Sequence, residues 1–431
     1  MNSYLKNLPD YIFLSLFLGT GLIPNLGALD RIATQWLYLN VLNSLFLLYY
    51  LFDYNRKINF KNILNFKPFI GLCLFVFWGL ISYLYSINGT EVIVKFIRWF
   101  QLPISLFILM IIAKKTGETF IKSIAFLITF ILIVELYFTY STYFDITKLT
   151  RYNFSFAYLL KGATGNKNIN SASILIKLPF VFYLISYYQK TIIRLVLSVI
   201  VFSTSYLIFI ISSRAALISF ILILILLGLQ LSYSLIKHKD FKTIIPTIFI
   251  SASMLFAFVI FSLEFRDNNT ASVSNRISTV NLDDESTSQR IRFYQHSLDQ
   301  LIHNPIIGVG LGNWKIKSID YDSQNIRGYI VPYHVHNDFL EIGAELGIVG
   351  LGLYLFIIIY IAKYLIKNIY LESKFSGKLN SEIILFFVGM IYFVDAFLNF
   401  PHARPVMQVP FVLIIAMVYF LIYNENKSIN A

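Results

Sequence analysis

The chain is predicted to be an all-α polytopic membrane protein, and three observations carry that reading. Apolar residues (Ala, Val, Ile, Leu, Met, Phe, Trp, Tyr, Cys) make up 57% of 431 residues, charged residues only 13%, and mean hydropathy is +0.68. Soluble domains run at roughly 25% charged residues. The apolar residues gather in about twelve runs, each near the ~20 residues that cross a bilayer as a helix. Lysine and arginine alternate between the connections as membrane topology requires. A soluble enzyme, a secreted disulfide scaffold and a disordered chain are excluded. The single cysteine, Cys73, lies in an apolar run and forms no intrachain disulfide.

In order, the expected spans are 10–29, 32–52, 68–87, 92–113, 119–140, 169–188, 193–211, 215–236, 243–263, 339–362, 382–400 and 406–423. The first is interrupted by Gly21, Pro24 and Gly27. No cleavable signal peptide is expected, because only Lys6 precedes the first span and no small-residue cleavage site leads into a soluble chain. With a cytoplasmic N-terminus, the cytoplasmic segments hold seventeen lysines and arginines, among them Arg56, Lys57, Lys114, Lys115, Lys239, Lys374 and Lys378. The short outer turns near 25–31, 88–91, 212–214 and 401–405 hold only Arg31, Arg214 and Arg404. Both termini are therefore expected in the cytoplasm, and the formal charge of +12 reads as topology rather than nucleic-acid binding.

Two outer segments are long, 141–168 and above all 264–338, the latter between spans 9 and 10. The organisation expected is a bundle of spans 1–9 over 1–263, an outer loop domain over 264–338, and spans 10–12 with a cytoplasmic tail over 339–431. Residues 266–289 are polar. An amphipathic helix follows at about 287–303, with Ile291, Tyr294, Leu298, Leu301 and Ile302 on one face, and Asn304-Pro305 ends it. Gly308-Val309-Gly310-Leu311-Gly312 makes an extended or turning strip, and Pro332 precedes the return to the membrane at His336. No internal repeat is visible.

The sharpest chemical signal is at that return. On a helix beginning near Asp338, at about 100° per residue, Asp338, Glu341 and Glu345 fall in one narrow stripe, and Gly343, Gly347 and Gly350 on the opposite face. The glycines suit the close approach of a neighbouring helix. The acids must face a cavity or cations, since carboxylates toward lipid are costly. Glu345 is expected to pair with a cation from another span, with Arg404, Arg214 or Arg98 as candidates. His336, followed by Asn337, sits at the expected cavity mouth, and an imidazole with an ordinary pKa near 6.5 suits a general base. The acidic stripe is expected to raise its proton affinity.

A second signal is a set of cations placed against the inside bias: Arg214 in Ser212-Ser213-Arg214, Arg290 and Arg292 opening the loop helix, Arg404, Lys95 and Arg98 in the fourth span, and Lys177 in the sixth. Guanidinium groups bind diphosphate oxygens bidentately, so the set suits an anionic, membrane-borne substrate. His334-x-His336 offers two metal ligands without a third at ligand spacing, so no metal is expected. Phosphate-loop, dinucleotide and nucleophile-elbow motifs are missing, and no cofactor is expected. His296 and His303 read as helix-surface residues. A transporter or flippase also uses intramembrane Arg and Glu, but clustering around one outer loop without repeats favours an enzyme.

Several of these residues carry a family resemblance. Arg290 and Tyr294, then Asn304-Pro305-Ile-Ile-Gly308-Val-Gly310-Leu-Gly312-Asn313, resemble the loop signature of the O-antigen ligase and polymerase superfamily. His336-Asn337, nine residues, then Gly347-x-x-Gly350 resembles that family's signature at the loop's return to the membrane. Gly165-Asn166-Lys167-Asn168, Ser213-Arg214 and Asn399-Phe400-Pro401-x-x-Arg404-Pro405 also resemble its motifs. The resemblance implies a metal-independent, inner-membrane glycosyltransferase with a periplasmic active site. Such an enzyme moves a glycan from undecaprenyl diphosphate to an acceptor hydroxyl: lipid A–core in the ligases, another lipid-linked repeat unit in the polymerases, protein Ser or Thr in related O-oligosaccharyltransferases. By position, Arg214 and Arg290, joined by Arg404 and Arg98, are expected to hold the diphosphate. His336 is expected to act at the acceptor, supported by Asn337, Asp338, Glu341 and Glu345. His334 is expected to matter far less, one turn further out in the loop.

Overall fold

A computed structural model describes residues 7–30, 32–52, 61–237, 241–266, 285–326, 331–370 and 379–429. Lys6, Arg31, Arg56, Lys57, Lys239, Lys374, Lys378 and most of the polar stretch 266–289 lie outside the described residues. The protein is all-helical and membrane-spanning. Among the described residues there is no strand, and ten helices are long and apolar enough to cross a bilayer.

The first two expected spans are the exceptions. Helix α1 (Leu8–Leu18) runs on only as a 3-10 turn to Leu22. Gly21 ends it at a close approach, where a Cβ would meet the Val406 side chain at 2.5 Å. Helix α2 (Ala33–Phe52) has 20 residues but carries polar amides. Asn43 Nδ2 donates to Gln101 Oε1 (3.2 Å) and Ser105 Oγ (2.8 Å). After the single turn α3 (Lys61–Leu64) come the spans α4 (Lys67–Ile81), α5 (Gly89–Thr116), α6 (Thr119–Leu149), α7 (Lys167–Tyr187), α8 (Thr191–Ile211), α9 (Arg214–Lys237) and α10 (Phe241–Glu264). Helices α11 (Glu285–His303) and α12 (Trp314–Asp322) lie in the long connection. Then α13 (Asp338–Tyr370), α14 (Ser381–Leu398) and α15 (Pro405–Ile429) complete the spans.

The centre of the bundle is α7 and α15, with 89% and 83% of their most apolar stretches buried, against 39% in α9 and α10. Lys177 belongs to this centre, not to the site where the cation pattern placed it. Its ammonium lies 2.9 Å and 3.0 Å from the two carboxylate oxygens of Glu135 on α6 and donates to Ser173 Oγ at 2.6 Å. A lone charge at that depth is too costly to leave unpaired, and the carboxylate one helix away settles its position.

The turns expected on the outer face meet at one end of the bundle. Arg98 reaches Asp30 (2.7 Å), Lys315 reaches Glu91 (2.6 Å), Arg214 donates to Thr287 (2.8 Å), and the 401–403 turn meets Asp338. On the loop helix α11 the expected apolar face divides. Tyr294 is partly buried and Leu301 lies against Gly343 of α13, whereas Ile291, Leu298 and Ile302 remain exposed. The helix lies on α13 along its Tyr294–Ser297–Leu301 edge, so Ser297 and Gln300 are buried instead.

Helix α13 is not continuous. At Gly347 (φ 64°, ψ −168°) it breaks, and the glycine strip 308–312 docks into the break. Val309 N–H and Gly310 N–H donate to the carbonyls of Ala344 (3.0 Å) and Glu345 (2.8 Å), and Trp78 Nε1–H donates to that of Leu346 (3.0 Å). Ile348 N–H donates to Pro305 O (2.7 Å). The break therefore leaves those backbone groups satisfied, as a buried backbone requires. A Cβ at Gly347 would lie 2.1 Å from Ile306 O, and one at Gly308 2.4 Å from Glu345 O. The glycine face thus receives the family-like loop strip and α11 rather than a neighbouring membrane helix.

Candidate active site

Two groups of charged side chains form at this end, and Phe400 touches both. The first surrounds a cavity of about 630 Å³ lined by Asp30, Trp36, Lys95, Arg98, Tyr333, His334, Glu341, Glu345, His402 and Arg404, among others. The acidic stripe of α13 forms one wall, and its three carboxylates are almost fully buried. Asp338 accepts from His402 Nδ1 (2.5 Å) and from the His402 backbone N–H (3.0 Å). His402 Nε2 lies 3.1 Å from Glu341 Oε1, and Lys95 Nζ lies 3.2 Å from His402 Nε2 and 3.7 Å from Glu341. Burial works against a charge on His402, but the carboxylates of Asp338 and Glu341 outweigh it and raise its pKa to about 9. The two acids thus favour a protonated ring, while the Lys95 ammonium beside Nε2 opposes that charge.

His334 belongs to the same network. Its Nδ1 lies 3.0 Å from Glu341 Oε1, its ring stacks on Phe400 (centroids 4.3 Å apart), and Glu341 Oε2 accepts from Val335 N–H (3.0 Å). Burial lowers the proton affinity of His334, opposed by Glu341. The expectation that His334 sits further out in the loop is corrected: it lines the cavity, and His336 does not.

Glu345 also departs from expectation. Among the described residues no cation lies within ion-pair distance of it. Its Oε1 accepts instead from Trp314 N–H (3.3 Å), the first N–H of α12, where the helix dipole presents its positive end.

The second group surrounds His336. Asn337 caps α13, its Oδ1 accepting from Phe339 N–H (3.0 Å) and Leu340 N–H (3.1 Å). His336 precedes the cap with a left-handed backbone (φ 63°), uncommon for a residue with a Cβ. Tyr294 of α11 donates its hydroxyl to His336 O (3.0 Å), fixing the segment to the loop helix, and the His336 imidazole packs edge-on against Phe400 at 5.0 Å. Nδ1 of His336 has no hydrogen-bond partner among the described residues. Burial, then the charge of Arg290, lower its pKa to about 4, so it is neutral at pH 7. The acidic stripe was expected to raise this value. Glu341 does raise it, but burial and Arg290 prevail: Asp338 and Glu341 are bonded to His402 and His334, and Glu345 to Trp314 N–H.

The four arginines expected to form one diphosphate clamp separate accordingly. Arg290 acts on His336, and Arg214 bonds Thr287, one turn before Arg290 on α11. Arg98 and Arg404 line the cavity instead. Arg292 is drawn off to Asp322 (2.7 Å). Of the other histidines, His296 stacks on Tyr321 and His303 Nδ1 meets Asp299 O.

The sequence reading did not single out His402. Its signal was present all the same: three buried acids require cations, and a histidine in the short turn facing them was available. His334, Glu341 and His402 also bring three possible ligand atoms within 4.8 Å of one another, a set that spacing alone did not place. Metal binding there would require His402 to lose its proton and the Lys95 ammonium to withdraw.

Comparison with known proteins converges on the same segment. Residues 198–355 match the O-antigen ligase family. A Rickettsia typhi protein named by inference as a polysaccharide ligase is 24% identical, over 89% of this chain and 92% of its own length. A similar protein of Rickettsia prowazekii is also 24% identical over the same shares. The ComP-specific O-oligosaccharyltransferase of Acinetobacter baylyi is 26% identical over 95% of this chain and 71% of its own. The family resemblance read from the motifs is borne out: residues 198–355 match the O-antigen ligase family, and the relatives carry the names of polysaccharide ligases and of an O-oligosaccharyltransferase.

Proposed function

From the premise of an O-antigen ligase domain over residues 198–355, we propose that the protein transfers a glycan from undecaprenyl diphosphate to an acceptor hydroxyl without a metal. The site faces outward at the inner membrane, and both termini are cytoplasmic. The single observation that carries the reading is the neutral His336 imidazole, held in a left-handed backbone beside Arg290 and with Nδ1 unpartnered among the described residues. Strained, half-buried positions of this kind cluster at functional sites.

The acceptor oxygen attacks the anomeric carbon. The bond from that carbon to the diphosphate oxygen breaks, and the lipid diphosphate leaves with the electron pair. The hydroxyl proton passes to His336, whose Nδ1 has no hydrogen-bond partner among the described residues. Arg214 and Arg290 neutralise the charge developing on the leaving group, so neither an acid nor a metal is needed there. Lipid A–core is the acceptor in the ligase form of this reading. The 26% identity to an O-oligosaccharyltransferase over nearly the whole chain supports a second acceptor, a protein hydroxyl.

Purified protein given a lipid-linked glycan and candidate acceptors, without ATP or an ion gradient, should carry out transfer. His336→Ala should abolish it while donor binding persists, and Arg290→Ala should weaken both. No transfer to any glycan or protein acceptor, or wild-type turnover by His336→Ala, would sink the assignment.

A further inference from the structure

The cavity beside His336 has an imbalance that the transfer chemistry above does not use. Three of its cations have carboxylate partners: Lys95 meets Glu341 (3.7 Å), Arg98 meets Asp30 (2.7 Å) and Lys315 meets Glu91 (2.6 Å). Arg404 has none. No acceptor and no carboxylate lies within bonding distance of its guanidinium among the described residues, and it rests over the Phe400 ring at 5.0 Å. Burial opposes its charge. Asp30, already bridged to Arg98, favours the charge from beyond bonding distance. A largely buried guanidinium with no carboxylate in contact is costly, and in an open cavity a ligand oxyanion reduces that cost. Arg98 stands nearby, held only by a partly exposed bridge to Asp30, a kind of pair worth little on its own.

The rest of the lining indicates what carries the anion. Glu341 and Glu345 accept hydrogen bonds but repel a polyanion, so one negative group suits the cavity better than a diphosphate. Trp36 and Tyr333 offer aromatic surface, and the indole N–H of Trp36 has no acceptor among the described residues. Single anionic group, hydroxyl acceptors and aromatic walls together describe an acidic sugar.

We infer that the cavity is an oxyanion subsite for the glycan acceptor, in which Arg404, with Arg98 and Lys95 beside it, holds a carboxylate or phosphate on the sugar that receives the transferred chain. The inference rests on the proposed transfer reaction for the word acceptor. The binding itself is separable from turnover. The same oxyanion chemistry is offered by the donor's diphosphate, and the experiment must tell the two apart.

The test uses the purified full chain in lipid nanodiscs and measures equilibrium binding of four probes: methyl glucuronide, glucose 6-phosphate, neutral methyl glucoside and geranyl diphosphate. The two anionic sugars should bind at least about tenfold more tightly than the glucoside, the range of one charge-assisted hydrogen bond. Arg404→Gln should remove that preference. Arg404→Lys should retain part of it, since the charge remains and the fork is lost, and it serves as the readable variant if the glutamine form does not fold. Geranyl diphosphate should not displace the glucuronide. Equal binding of glucuronide and glucoside, an undiminished preference in Arg404→Lys and Arg404→Gln, or displacement by geranyl diphosphate would each overturn the inference. Because no turnover is needed, a failure of transfer in the same preparation would count against the reaction alone.

Discussion

His334 and His336 are separated by one residue and touch the same phenylalanine, yet their surroundings are opposite. His334 is tied at 3.0 Å to Glu341 in a network that includes Asp338, His402 and Lys95. His336 has a strained backbone, no acidic partner among the described residues, an arginine for a neighbour, and an imidazole kept neutral. A closed network of opposite charges fixes geometry. An imidazole outside that network, with an unpartnered Nδ1 among the described residues, keeps a nitrogen open to a ligand. The contrast supports giving the acidic stripe to architecture and to the cavity, and the proposed proton transfer to the histidine outside its hydrogen-bonded network.

That division is sharpened by substitutions on its two sides. The largest expected effect on stability is Asp338→Asn, which leaves the His402 imidazolium buried without its first counter-ion. Breaking such a pair costs about 3–5 kcal/mol, read as a fall in thermal midpoint in detergent. A change below about 1 kcal/mol would mean that the network is not what holds α13 to the 401–403 turn. Next comes Gly347→Ala. A Cβ there meets Ile306 O at 2.1 Å on a backbone that disfavours side chains, so a loss of about 1–3 kcal/mol or more is expected, with a loosened 305–312 strip more open to protease. An alanine variant as stable as the parent would break the account of the helix break.

On the other side, Arg290→Ala should lower donor affinity about tenfold to a hundredfold, with partial rescue by Lys. Undiminished affinity would move the diphosphate to the cavity arginines. The smallest effects are in pH. The pKa of His402 stands at about 9, above the ordinary 6.5. Its stabilising contribution is therefore complete below about pH 6.5 and lost as pH rises through 9, a slope that should shrink in Asp338→Asn, where Glu341 alone still favours the charge. His336, lowered to about 4, stays unprotonated through neutrality, so transfer should decline only on the acid side near that value. A transfer profile with an inflection near 6.5 would contradict the electrostatics described for this residue.

The sequence made much of this legible, for physical reasons that also mark where legibility stops. Apolar run length and the alternation of basic residues located the spans. The 100° rule placed Asp338, Glu341 and Glu345 correctly on one buried side, because the first nine residues of α13 are regular. It failed beyond them, since a helical projection cannot foresee that Gly347 turns left-handed to admit a loop 35 to 40 residues upstream. Which acid meets which cation was also hidden. Lys177 looked like a site cation until Glu135, on a neighbouring helix, claimed it. His402 looked incidental, because the turn holding it is brought to Asp338 by packing of α14 and α15 and not by any spacing in the chain.

The central claim is that His336, not the cavity histidines, takes the acceptor's proton. The most direct measurement is donor affinity beside single-turnover transfer for His336→Ala and His334→Ala. The account predicts that His336→Ala binds donor nearly as well as the parent and transfers roughly 100- to 10,000-fold more slowly, the range of a lost general base. It predicts that His334→Ala, though less stable, still transfers at a rate within about tenfold of the parent. If His334→Ala is the dead variant and His336→Ala turns over, or if His336→Ala loses donor affinity as badly as Arg290→Ala, the proton acceptor has been placed on the wrong side of Phe400.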